Sequence, residues 1–250
     1  MKAKSKNNIR RIIDAVLTVI LLCLMAFQVT GEMAHEWLGI GMTVLVILHQ
    51  ILNIKWYGAL FKGKYRTYRI IQTAVNILLL LSFAATAFSG MAMSGYAVPF
   101  LYGMAKVSLA RRVHLSLSHW TFVLMAVHLG LHIPAMTAKM NLSDNKRRIV
   151  SAVFSIIAGA GLFFFLKNGI YNYLFFSVPF AFLDYGKSAL LVFSENILIL
   201  LFWAFIGTQC AVICKAGNNK KSNRKNILFP ILMILISVLV GSTAFAAAGI

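Results

Sequence analysis

The stretch IIQTAVNILLLLSFAATAFSGMAM, residues 70–93, carries no charged side chain along its whole length. A helix that crosses the hydrocarbon core of a bilayer needs about 20 mostly apolar residues, so this segment is long enough to span. Working outward, six further stretches read the same way, at 11–30, 35–53, 113–135, 149–167, 189–214 and 227–248. A transmembrane barrel would show short alternating strands instead, and that pattern is not visible. Composition agrees. Of the 250 residues 60% are hydrophobic and 12% charged, against about a quarter charged in an ordinary soluble domain. Too little polar surface remains to cover a water-facing globule. The sequence predicts an all-α fold, a polytopic helical bundle with about seven transmembrane helices and the lipid bilayer as its solvent.

The formal net charge of +18 raises the question of nucleic acid, and its distribution answers it. Lys2, Lys4, Lys6, Arg10 and Arg11 precede the first span. Lys55, Lys62, Lys64, Arg66 and Arg69 follow the second, and Lys139, Lys146, Arg147 and Arg148 follow the fourth. Lys215, Lys220, Lys221, Arg224 and Lys225 follow the sixth. The opposite side holds only Lys106, Arg111, Arg112, Lys167 and Lys187. Short cationic loops stay in the cytoplasm, which predicts the N-terminus inside, the C-terminus outside and no nucleic-acid partner. The first apolar run is too long for a signal peptide and no small-residue cleavage site follows it before Gly31, so it reads as a retained helix.

Cys23, Cys210 and Cys214 lie in or at the ends of spans, which leaves no extracytoplasmic disulfide framework. Cys210 and Cys214 share a helix face and read as small packing residues. No soluble domain or long linker interrupts the chain. The stretch 95–112 reads as lying along the membrane surface. The aromatic stretch 168–187, with Pro179, reads as interfacial or re-entrant. All six histidines fall within the first four spans. That division predicts a four-helix functional core at residues 1–135 and a three-helix membrane appendix at 136–250.

His35, His49, His114, His119, His128 and His132 are the chemistry on offer. Ionisable residues inside a membrane are expensive and mark function, although a single one is often a packed hydrogen-bonding residue. Here the spacing repeats. His35 and His49 are 14 residues apart on the second span, and His114 and His128 are 14 apart on the fourth. Fourteen helical steps return to within about 40° of the same face and rise about 21 Å. Both helices run from outside to inside, so His35 lies level with His114 and His49 with His128. Two facing histidines at two depths make two bis-histidine sites, which suits two stacked haems with irons roughly 20 Å apart. No Cys-x-x-Cys-His occurs, so the haems would be b-type.

Gly39, one turn after His35, would let a flat ring approach the helix. Arg111 and Arg112 could pair propionates at the outer site, and Lys55 and Arg69 at the inner one; positive-inside and headgroup anchoring explain the same cations. The register on the fourth span has an alternative, because His119 and His132 are 13 residues apart and His132 sits one turn from His128. His119 points about 140° away from His114 and is free to serve a quinone or another helix. Glu195, within the sixth span, reads either as a proton relay or quinol contact, or as an interhelical hydrogen bond.

The segments HEWLGIGMTVLVILHQILNIKW (35–56), RRVHLSLSHWTFVLMAVHLGLHI (111–133) and FSGMAMSG (88–95) resemble the flavinylation-associated cytochromes, a bacterial membrane family. They are more distantly similar to the cytochrome b subunits of formate dehydrogenase and nickel–iron hydrogenase. The likeness covers residues from about 10 to 135. It implies a di-haem unit in the bacterial cytoplasmic (inner) membrane, with ligands at His35, His49, His114 and His128. It also implies electron transport between the quinone pool and a redox partner, often an extracytoplasmic flavoprotein. The three extra spans depart from the simplest family pattern.

Three other classes compete. A divalent-metal transporter could use the histidines as ligands, but their pairs are separated by most of the bilayer rather than gathered at its midplane. A retinal protein needs a buried lysine, and residues 227–248 have none. An inert membrane anchor leaves the repeated spacing without a reason.

Overall fold

A peptide group left unpaired in hydrocarbon costs several kcal/mol, and a helix pairs every such group within itself. The apolar runs accordingly form helices in the computed structural model, which describes residues 2–140, 143–217 and 225–248. The side chains of Lys2, Lys4, Lys6 and Lys225, and all of Lys220, Lys221 and Arg224, lie outside the described residues. In chain order the helices are α1 (Lys2–Met25), α2 (Phe27–Leu52), the short α3 (Lys55–Ala59), α4 (Thr67–Met91) and α5 (Val107–Thr137). They continue with α6 (Asp144–Lys167), the short α7 (Ile170–Leu174), α8 (Ala189–Gly217) and α9 (Lys225–Ala247). Among the described residues there is no strand.

Six of these helices, α2, α4, α5, α6, α8 and α9, are long and apolar enough to cross a membrane. The chain is a multi-pass membrane protein. The expectation of about seven spans counted α1 as the first. Arg10, Arg11 and Asp14 occupy the first half of that helix, so it is uncharged only from Ala15 onward and falls outside the six.

Helices α1 and α2 form a tight antiparallel hairpin. Only Ala26 separates them, and Gly31 just inside α2 departs from helical geometry with φ 71° and ψ 171°. A positive φ is open to glycine because it has no Cβ. The hairpin brings the start of α1 beside the end of α2, where the Arg10 guanidinium donates to the Leu52 carbonyl.

The closest helix pairings are α5 with α8, α4 with α5, and α6 with α9. At the first of these the two backbones nearly touch. A Cβ on Gly130 would fall on the Ala204 carbonyl, and one on Gly207 on the Val127 carbonyl. Small residues permit such approach where no hydrophobic force drives helices together in lipid. Thr208 Oγ1 also donates to the Gly130 carbonyl at 3.1 Å. The main core runs through both halves of the chain, from Leu17 and Leu21 through Met42, Phe122 and Ala126 to Phe165 and Ile199. A second cluster joins Ala158, Phe205 and Met233 of α6, α8 and α9. Outward faces stay apolar, with Leu81 62% and Leu239 63% exposed, as a lipid-facing surface requires.

Candidate functional site

Helices α2 and α5 carry all six histidines, yet they scarcely touch each other. Toward the His35 end, the space between them is a cavity of about 900 Å³. Its walls come from α1, α2, α4, α5, the segment 168–187 and α8. This lies near the upper end of the range for cofactor and small-molecule pockets, roughly 300–1,000 Å³. Helices of the N-terminal core and of the C-terminal appendix therefore share one cavity.

His35 and His114 face each other across it, with ring centres 6.0 Å apart and planes inclined at 72°. Metal–imidazole bonds of about 2.0–2.1 Å, the value for zinc, would place two trans ring centres about 6 Å apart. His114 Nδ1 lies 2.9 Å from the Thr86 carbonyl. A carbonyl only accepts, so Nδ1 carries the proton and Nε2 is the nitrogen left to coordinate. His35 Nδ1 is buried and, apart from a weak approach to the Leu24 backbone, has no hydrogen-bond partner. Gly39 lines the same cavity, and a Cβ there would meet nothing within 4 Å. Gly90 serves the histidine itself, because a Cβ there would come within 3.0 Å of the His114 ring. Arg111 lines the cavity. Arg112, its exposed neighbour, is not among the lining residues.

The residue after His35 ties this end together. The Glu36 carboxylate accepts from Ser94 Oγ at 2.7 Å and from the N–H groups of Gly95, Tyr96 and Ala97 at 3.0, 2.8 and 2.9 Å. Ser94 Oγ in turn accepts from the Val98 N–H at 3.0 Å. The Ser-Gly pair of FSGMAMSG is thus the seat of a carboxylate from α2. It folds the start of 95–112 against the His35 end.

At the other end, His49 Nδ1 lies 2.8 Å from Asp14 Oδ1 and His128 Nδ1 lies 2.7 Å from Asn76 Oδ1. Both acceptors make Nδ1 the donor, so in the neutral ring Nε2 is the nitrogen left to coordinate; Asn53 Nδ2 stands 3.4 Å from that nitrogen of His49. The His132 ring centre is 4.8 Å from that of His128. His49, His132 and Asp14 all lie within electrostatic reach of His128. The structure thus brings both candidates for the fourth-span register to the same end. Arg69, considered for a propionate here, stacks on Tyr65 at 4.3 Å and donates to the Ala59 carbonyl, while Lys55 is exposed.

His119 does not face His35. Its Nδ1 donates to the Leu115 carbonyl at 2.7 Å, and its ring stacks on Tyr173 of α7 at 4.5 Å and 7°. Glu195 of α8 is 4% exposed and accepts from Lys187 Nζ at 2.7 Å and Asn168 Nδ2 at 2.9 Å. Glu195 is thus held by an ion pair and a hydrogen bond from the segment 168–187. Both His119 and Glu195 line the large cavity. Cys210 and Cys214 are free thiols.

Among the described residues no group of three or more His, Cys, Asp or Glu side chains converges as a metal site would require. His35 and His114 face each other from different helices, His128 and His132 are neighbours on α5, His49 meets Asp14 and His119 meets Tyr173. Reading the sequence alone missed Asp14, Asn76, Thr86, Glu36, Ser94 and Tyr173. Asn76 and Thr86 did leave a signal, as polar positions in the uncharged run 70–93. No protein-family model, curated protein or solved structure matches the chain.

Proposed function

We propose that this chain is a di-haem b-type cytochrome that carries electrons between the quinone pool and a redox partner protein. The observation that carries the reading is the His35–His114 pair, 6.0 Å apart across a cavity between α2 and α5. A haem held there supplies a one-electron redox centre.

The chain's own residues have distinct tasks in this reading. His35 and His114 hold the outer group, and His49 with His128 hold the inner one, His132 being the rival for the fourth ligand. Thr86, Asn76 and Asp14 orient the imidazoles by accepting hydrogen bonds from Nδ1 and raise their basicity. Gly39 keeps the cavity clear beside His35, and Arg111 offers a cation to a propionate. Leu21, Ile40, Met42 and Phe83 make an apolar wall that lowers the local dielectric, one of the protein's levers on potential. The facing pair His35–His114, on which no third His, Cys, Asp or Glu ligand converges among the described residues, favours this reading over transport of a divalent metal.

Charge asymmetry puts the N-terminus in the cytoplasm and the C-terminus outside, with α1 counted as a seventh span. The His35 end then faces outward, where an extracytoplasmic flavoprotein would exchange electrons. The setting is the bacterial cytoplasmic membrane. Pyridine haemochrome assay of the purified protein tests this: two b haems per chain are expected. Protein made with haem available and carrying none would end the cytochrome reading.

A further inference from the structure

The cavity has two chemically different ends. One is the facing pair His35 and His114. The other is built largely from the C-terminal half, by Tyr173, Asn168, Lys187 and Glu195, with His119 of α5 opposite. The segment 168–187 is pinned over this second end. Ser116 Oγ and Trp120 Nε1 of α5 both donate to the Leu174 carbonyl, at 3.1 and 2.8 Å. The Asp184 N–H reaches Gln28 Oε1 of α2 at 3.2 Å, and the Phe182 N–H donates to Tyr173 Oη at 3.0 Å.

Two acceptors are left without a protein donor. His119 gives its Nδ1 proton to the Leu115 carbonyl, so Nε2 carries a lone pair. Glu195 uses Oε2 for Lys187 and Asn168, and Oε1 has no hydrogen-bond partner in a side chain that is 5% exposed. Both residues line the cavity, so these acceptors are available to a donor from a bound molecule. The surrounding wall is aromatic and apolar, with Tyr173, Phe180, Phe182 and Leu183.

We infer that the compartment between His119, Tyr173 and Glu195 binds the headgroup of a hydroquinone. A flat ring with two hydroxyls supplies one donor for His119 Nε2 and one for the Glu195 carboxylate, and its apolar body suits the aromatic wall. The electron-carrier reading above supplies the reason for such a ligand beside His114, and this inference rests on it. The appendix helices, in this account, complete a substrate site rather than add a separate unit.

The experiment uses the full chain in nanodiscs, reduced, with an azido-naphthoquinol as photoreactive probe. The label is mapped by peptide mass spectrometry, with and without excess 2,3-dimethyl-1,4-naphthoquinol. Displaceable labelling within 168–195 or around His119 is expected. In His119→Phe and in Glu195→Gln the competitor should lose about tenfold or more in affinity. Labelling at the His49 end would overturn the inference. So would labelling displaced equally by phospholipid, or unchanged competition in both variants. Haem content, measured in parallel, reports on the cytochrome reading separately. A chain that binds quinol at this site without haem would fail that reading and keep the site, and a haem-loaded chain without the displaceable label would do the reverse.

Discussion

Helix α5 has two neighbours that it treats in opposite ways. Against α8 it closes until backbone meets backbone, with Gly130 on Ala204 and Gly207 on Val127. From α2 it stands apart, and the space between holds a cavity of about 900 Å³ with a histidine on either side. Loose packing in general does not explain the gap, because the same helix meets α8 backbone to backbone. Small residues lie where the helices meet, and imidazoles face each other where they part.

The largest effect should come from opening the closed face. Leucine in place of Gly207 puts a side chain onto the Val127 carbonyl. Overpacking a tight core commonly costs about 1–3 kcal/mol and sometimes more; here backbone blocks relief. Gly207→Leu should fail to yield a monodisperse protein in size-exclusion chromatography, whereas Gly39→Ala, which meets open space, should elute as wild type.

The open face breaks differently. His114→Ala and His35→Ala should each remove one of two haems while the bundle stays folded, read as a halved haemochrome with an unchanged far-ultraviolet helix signal. At the other end, the register is sharpened by comparing His128→Ala with His132→Ala. The hydrogen bond from His128 to Asn76 favours loss of the inner haem only in His128→Ala.

Smaller again are the residues behind the ligands. Outer partners of metal-bound histidines are typically worth about 10–100-fold in affinity. Asn76→Leu should fall in that range for the inner haem, measured by transfer to apomyoglobin. Asp14→Asn should lie at its lower edge, since Asp14 is 52% exposed and water can replace it. The smallest change expected is Glu36→Gln. It keeps the shape but weakens four charge-assisted hydrogen bonds, so the loop 94–98 should exchange its amide hydrogens faster with haem content unchanged.

How much of this was legible in the sequence follows the same division. The helices were, because uncharged runs of about 20 residues have one stable form in lipid: the stretch 70–93 became Thr67–Met91 and 113–135 became Val107–Thr137. The level pairing of His35 with His114 was legible too, since helical period and rise are fixed. What packing decides was not. Asp14 meets His49 because the α1–α2 hairpin turns at Ala26 and Gly31, and Asn76 meets His128 because α4 leans on α5. Glu36, beside His35, carried no readable role, because its partners lie in the loop 94–97. α1 shows the limit from the other side, since Arg10, Arg11 and Asp14 make its length a poor guide to its depth. The cavity's second end was invisible for the same reason: its parts lie at 119, 168, 173, 187 and 195, on α5, the segment 168–187 and α8.

The most direct test of the central claim is electron paramagnetic resonance of the oxidised, purified chain, with haem counted per polypeptide. The account predicts two low-spin ferric centres with bis-imidazole character, one lost in His35→Ala. A haem-free spectrum, or one high-spin centre that survives both His35→Ala and His114→Ala, would contradict it.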